Sequence, residues 1–171
     1  MRALDELVER LRTFITEDDD KVLLILEVND ASNGLAVKSL DILDEEVADM
    51  LWLFVDDFTT AWEFADRVAW RVHARRELAC KALAKEKEPA WPALPPATFD
   101  RGVAPIARMR ALMDYARALS PNLDEVRLVW GLFPARIVDT AAYRAFILEL
   151  ATHEFPEPWC HHMRILVRDD V

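Results

Sequence analysis

The sequence predicts an α/β fold: one three-layer domain over residues 1–171, with a mainly parallel sheet of four or more strands and helices on both faces. Three observations carry this. Residues 22–28, Val-Leu-Leu-Ile-Leu-Glu-Val, are almost continuously apolar, as in a strand buried on both faces, and parallel sheets covered by helices produce such strands. Ala36, Leu40, Leu43 and Val47 then recur at helical spacing before a second apolar run at residues 50–55, so strand, helix and strand form a βαβ unit. Hydrophobic residues make up 53% of the 171 and charged residues 30%, enough apolar surface for one sizeable core, which excludes disorder of the whole chain.

Each element follows from local pattern. Leu4, Leu7, Val8, Leu11, Phe14 and Ile15 share one helical face, giving a covering helix over residues 1–16 that ends in the acidic turn 17–20. After the second strand, Asp57 or Thr59 can cap a helix, and Thr60 with Glu63 has capping-box spacing. That helix is expected to be the longest, with Ala61, Ala65, Val68, Val72, Ala79 and Leu83 on its apolar stripe. Pro89, Pro92, Pro95 and Pro96 impose extended backbone, so residues 89–98 read as a stiff connection within the domain. Ile106, Met109, Leu112, Met113, Ala116 and Leu119 mark a further helix, stopped at residues 120–122. Residues 126–133 form the third strand, ended by Pro134. Asp139 caps the helix of Tyr143, Phe146, Ile147 and Leu150, Pro156 and Pro158 prevent its continuation, and residues 163–167 close the chain as a fourth strand. Ending directly after a strand leaves little to protect the sheet if another strand normally follows.

Bulk charge narrows the function. A formal net charge of −10 opposes binding to nucleic-acid or anionic-membrane phosphates, which requires clustered Lys and Arg. The two cysteines, Cys80 and Cys160, lie far apart with no paired spacing, which fits a reducing compartment. The N-terminus is amphipathic and acidic, unlike a secretory signal, and no uncharged run approaches a membrane span, so the expected location is cytoplasmic.

The most informative stretch is residues 32–39, Ser-Asn-Gly-Leu-Ala-Val-Lys-Ser, directly after the first strand. It ends as G-x-x-x-x-G-K-[ST] ends, while Ser32 and Val37 stand at the two glycine positions. Backbone N–H groups wrap a phosphate only where no side chain intervenes. Losing that cradle forfeits charge-assisted bonds of about 1.5–3 kcal/mol each, so nucleotide binding is expected to be weak or absent. The simplest reading is a loop and the first turn of a surface helix.

On these residues the chain resembles the core of P-loop ATPases of the AAA+ and STAND kinds, from the first strand to the C-terminus. The resemblance implies Lys38 as the phosphate-contacting lysine, Ser39 as the magnesium ligand and Arg168 as a sensor-like residue, with ATP and Mg as cofactors if the loop works. The chain departs from the family in its missing glycines and in an acidic pair on the second strand, too soon after Lys38. The third strand ends in Gly131-Leu-Phe-Pro134 instead.

In open parallel sheets ligands gather at the carboxyl ends of strands. Asn29 and Asp30 follow the first strand, Asp56 and Asp57 the second, Arg136 the third, and Arg168, Asp169 and Asp170 the fourth. Asp30, Asp56 and Asp57 are the carboxylates that could hold magnesium for a phosphohydrolase. His153, Cys160, His161 and His162 carry zinc-ligand chemistry, but adjacent His161 and His162 before a strand point to opposite faces. His73 and Glu77 have i,i+4 spacing, usually a surface contact. No serine or cysteine nucleophile motif is present, and three glycines can hardly supply one.

Six tryptophans are many for this length. Trp52 and Trp130 fall within strands and belong to the core. Trp62, Trp70, Trp91 and Trp159 lie on helices or proline-rich connections, covering sheet edges or, if two or more are exposed together, anchoring a partner. The function expected first is a non-catalytic interaction or regulatory module on a degenerate P-loop-ATPase-like core. Its partner would be another protein or a further domain, met by the long helix and the proline-rich connection. A weak ATPase using Lys38 and Ser39 and a magnesium phosphohydrolase using Asp30, Asp56 and Asp57 are the alternatives.

Overall fold

The computed structural model describes residues 2–17, 23–28, 30–46, 50–119, 126–151 and 163–169. Within them run α1 (Arg2–Thr16), β1 (Leu23–Glu27), α2 (Asp30–Glu46), β2 (Met50–Phe54), α3 (Ala61–Glu86), α4 (Pro105–Ala118), β3 (Leu128–Leu132), α5 (Thr140–Ala151) and β4 (Met163–Asp169), with a 3₁₀ turn at Pro96–Thr98. The four strands form one sheet in the order β1-β4-β3-β2, and every pairing is parallel. The expected α/β sandwich is borne out, and all four strands lie where the apolar runs put them.

Strand order explains the layers. From β1 the chain crosses the whole sheet to β2, then returns through β3 to β4 beside its start. Parallel crossovers are right-handed, so opposite directions of travel place their helices on opposite faces. One face accordingly buries Leu11, Phe14 and Ile15 of α1 and Ala36, Leu40 and Leu43 of α2 against Val129 and Leu166. The other packs α3, α4 and α5 over Trp52, Trp130, Ile165 and Val167. Trp130 stacks on Trp52, with ring centroids 6.1 Å apart, and lies 4.6 Å from Phe54.

The longest described helix is α3, as expected. The Thr60 hydroxyl accepts from the Glu63 N–H at 3.2 Å, satisfying one of the donors that open a helix. The Glu63 carboxylate does not close the box on Thr60; it accepts from the Thr59 hydroxyl instead. At the other end Lys87 takes a left-handed φ of 60°, and the Glu88 N–H reaches back to the Leu83 carbonyl at 2.9 Å, a Schellman-type stop.

The proline-rich connection is held along its length. Arg76 donates to the Pro92 carbonyl at 2.6 Å and to the Trp91 carbonyl at 3.2 Å, and the Tyr115 hydroxyl donates to Pro92 at 3.0 Å. Trp91 therefore turns inward, its ring 6.5 Å from that of Trp52.

The start of α2 corrects the sequence reading. The expected loop over residues 32–39 and short helix beyond it are one helix of 17 residues beginning at Asp30. Gly34 sits on its exposed side, where an added Cβ would meet nothing within 4 Å. Gly34→Ala should therefore stabilise the protein by about 0.5–1 kcal/mol, by removing the glycine's entropic cost in a helix. Denaturant unfolding checks this; a destabilised variant would mean that the segment is not helical.

Candidate functional site

The carboxyl ends of the strands lie along one edge of the sheet, where the fold gathers Asp30, Asn33, Asp56, Asp57, Pro134, Arg136, Arg168 and Asp169. Since β4 lies between β1 and β3, its last residues sit under the loop that leaves β3. Arg168 is fully buried there. Its guanidinium donates to the carbonyls of Pro134 at 2.7 Å and Ala135 at 3.1 Å. Asn33, in the first turns of α2, donates its amide to the same Pro134 carbonyl at 3.3 Å. Asn33 and Arg168 thus converge on one oxygen. The neighbouring Tyr143 hydroxyl donates to Leu132 O at 3.3 Å, and burial holds its pKa well above the ordinary phenol value.

Asp56, Asp57 and Asp169 on this edge are met by arginines. Asp56 accepts two bonds from Arg71, both 2.9 Å, a fork-to-fork pair. That hydrogen bonding outweighs desolvation and holds the Asp56 carboxyl below its usual range. Asp57 lies 3.3 Å from Arg136, while its main-chain carbonyl accepts from Arg67 at 2.6 Å. Asp169 pairs with Arg144 at 2.9 Å.

The residues expected to hold nucleotide are not arranged as a loop. Lys38 is exposed and Ser39 buried, both inside α2. The Ser39 hydroxyl donates to the Leu35 carbonyl at 2.9 Å, and Val37 packs toward α1. In a helix the N–H groups beyond the first four are spent on carbonyls four residues back. The N–H groups around Lys38 therefore bond α2 to itself.

Of the expected magnesium trio, Asp56 and Asp57 follow β2 and carry the arginine pairings given above, while Asp30 opens α2 after β1, and β1 and β2 are the two outer strands. Among the described residues no group of three or more His, Cys, Asp or Glu could hold a metal ion. His153, Cys160, His161, His162, Trp159, Asn29 and Asp170 lie outside the described residues. His73 turns edge-on to Trp70, centroids 5.6 Å apart, and Glu77 pairs with Arg76 at 2.6 Å.

A second feature lies on α3. Trp62 and Trp70 are 44% and 61% exposed; eight residues apart, they are offset by about 80° around the helix, and exposed Leu78, eight residues further, turns about 160° away from Trp62. Phe99, from the turn after the 3₁₀ segment, lies 5.2 Å from Trp70. The indole of Trp62 borders a shallow depression with Thr60, Glu63 and Arg101. Residues 61–119 carry eleven Lys and Arg against seven Asp and Glu, a basic segment within an acidic chain.

Comparison with protein-family models, curated proteins and solved structures gave no match. No helix among the described residues is long and apolar enough to cross a membrane.

Proposed function

We propose that this chain is a non-catalytic protein-interaction or regulatory module on a degenerate P-loop-ATPase-like core, working in the cytoplasm through another protein or a further domain. The observation that carries this is the paired exposure of Trp62 and Trp70 on α3. Large rigid aromatics with unfilled apolar area are the side chains that dominate binding energy when an interface forms. Phe99 buttresses Trp70, so the patch is held in place before a partner arrives, which lowers the ordering cost of binding. The net positive charge of residues 61–119 favours an acidic partner surface.

The enzyme readings draw less from the geometry. An ATPase using Lys38, Ser39 and Arg168 with magnesium would have to unwind the third turn of α2 and free Arg168 from two carbonyls. A phosphohydrolase using Asp30, Asp56 and Asp57 would have to part Asp56 from Arg71.

One experiment with two arms tests the proposal. Calorimetric titration of ATP and ADP with magnesium into wild type and Lys38→Ala should give no heat with either. Micromolar binding lost in Lys38→Ala would overturn the non-catalytic reading. Affinity capture from source-cell extract should retain a partner on wild type and lose it on a Trp62→Ala/Trp70→Ala double variant with unchanged circular dichroism. Equal capture by both would remove α3 as the contact surface.

A further inference from the structure

The two outer strands of the sheet are treated differently. At β2, Met50 N–H bonds to Arg127 and the Phe54 carbonyl accepts from Phe133, so by alternation Leu51 and Leu53 turn their backbone groups outward. Arg75 guards that side. Its guanidinium donates to the Leu51 carbonyl at 2.6 Å and lies 4.3 Å above the Trp52 ring. A charged side chain laid over an edge is one of the devices that stop further strands from adding.

At β1 no such guard exists among the described residues. Val28 N–H bonds to Asp169 O at 3.1 Å, so Leu24, Leu26 and Val28 face β4, and Leu23, Ile25 and Glu27 direct their N–H and C=O groups outward. No described residue bonds to those groups on the outer side. The strand, Leu-Leu-Ile-Leu-Glu, holds no proline and no lysine. A groove flanks it on each face, the one beside α5 mostly apolar. Leu23 and Ile25 line one of about 270 Å³ with Ile147 and Leu148 of α5. Leu24 and Leu26 line another of about 330 Å³ with Leu7 and Phe14 of α1 and, at its rim, Glu9, Arg10 and Thr13. Ile25 and Leu148 are left 50% and 63% exposed.

We infer that β1 is a self-pairing edge: two copies of the chain join antiparallel through β1 about a two-fold axis at Ile25, making one continuous eight-stranded sheet. Charge favours the antiparallel direction, and pairing all three outward residues sets the register. The only charged residue of β1, Glu27, lands opposite apolar Leu23 of the second copy, whereas a parallel pairing would set Glu27 against Glu27, a destabilising like-charge pair. In the two-fold register Ile25 pairs with its copy and Leu23 with Glu27 of the second copy, so all outward N–H and C=O groups of both strands are satisfied. An axis perpendicular to the sheet keeps like faces together, and the groove holding Ile25 and Leu148 becomes continuous with its copy. Because Arg75 blocks the β2 side, head-to-tail addition is closed off and assembly stops at two. An edge of about 17 Å by three layers each roughly 10 Å deep gives a footprint on the order of 500 Å² per copy, at the low end for specific interfaces, so the dimer is reversible. This surface is separate from the α3 patch, and its test is independent of nucleotide or partner binding.

Sedimentation equilibrium from micromolar to near-millimolar protein should show a reversible monomer–dimer equilibrium. Ile25→Lys and Leu148→Lys, both at exposed positions, should each raise the dissociation constant about a hundredfold while leaving circular dichroism unchanged. Leu78→Lys on α3 should leave it unchanged. Hydrogen exchange at the Ile25 and Glu27 amides should slow as protein concentration rises. A wild type that stays monomeric throughout, polymers without a dimer end-point, or dimers that survive both lysine variants would overturn the inference. A monomeric wild type whose Ile25 and Glu27 amides become protected by an added extended apolar peptide would give the edge to a different protein and equally overturn self-pairing.

Discussion

Arg108→Ala should lose about 3 kcal/mol of stability, seen as a fall of about 10 °C in the thermal midpoint for a chain of this size. Arg108 is fully buried on α4. Its Nε donates to the Thr98 carbonyl at 2.9 Å and its Nη2 to the Asp66 carboxylate on α3. Arg101 reaches the other Asp66 oxygen at 2.6 Å. One side chain therefore ties α3, α4 and the end of the proline-rich connection together. Burial would raise the Asp66 carboxyl, but hydrogen bonds from Arg108 and Arg101 outweigh it and hold the group below its usual range. Truncation removes the donor to Thr98, opens a cavity, and leaves Asp66 to Arg101 alone. Arg108→Met, which keeps the volume, should lose roughly half as much, because the cavity cost is avoided while the Thr98 carbonyl stays without a donor. Equal losses in the two variants would mean that packing contributes nothing at this position.

The strands were legible because each is a short, mostly apolar run, β3 and β4 being buried along nearly their whole length, although Arg164 and Arg168 place two buried guanidiniums on one face of β4. The start of α2 was not legible. Ser32, Asn33 and Gly34 are residues that favour turns, and only tertiary structure holds them in a helix. Asn33 is anchored to carbonyls a hundred residues away in sequence, and Ala36, Leu40 and Leu43 are fully buried two turns on. Burial of that kind outweighs the cost of about 1 kcal/mol for a glycine in a helix. Trp91 was hidden by its neighbours for the same reason: proline sets the backbone direction but says nothing about which layer the indole meets.

The polar edge was half legible. Its residues could be placed by the rule that loops gather at the carboxyl ends of parallel strands, and the fold puts them there. Their partners could not, since Asp56 meets Arg71 on α3 and Asp57 meets Arg136 after β3, contacts fixed by strand order. Strand order also decides that β1 and β2 stand at opposite edges of the sheet. A sequence reading that counts carboxylates near strand ends cannot see this, because β1 and β2 are consecutive in the chain and farthest apart in space.

Arg168→Ala should cost about 2–4 kcal/mol, because a fully buried side chain leaves a cavity, the buried Pro134 carbonyl keeps only the Asn33 amide, and the Ala135 carbonyl loses its guanidinium donor. The geometry separates this structural role from a sensor role. A guanidinium waiting for a phosphate would point into open space at the strand end, whereas this one is fully buried and already donates at 2.7 and 3.1 Å. Its effect should therefore fall on the loop after β3. Hydrogen exchange should accelerate at the Ala135 and Arg136 amides and at the Phe58 amide, which bonds to the Arg136 carbonyl at 2.8 Å, while α1 and the N-terminal half of α4 keep their protection. Arg168→Lys should recover only part of the loss, since an ammonium cannot reproduce the planar fork of a guanidinium. A stable Arg168→Ala protein with unaltered exchange after β3 would show that the two carbonyls do not depend on this side chain, and would free Arg168 for a ligand.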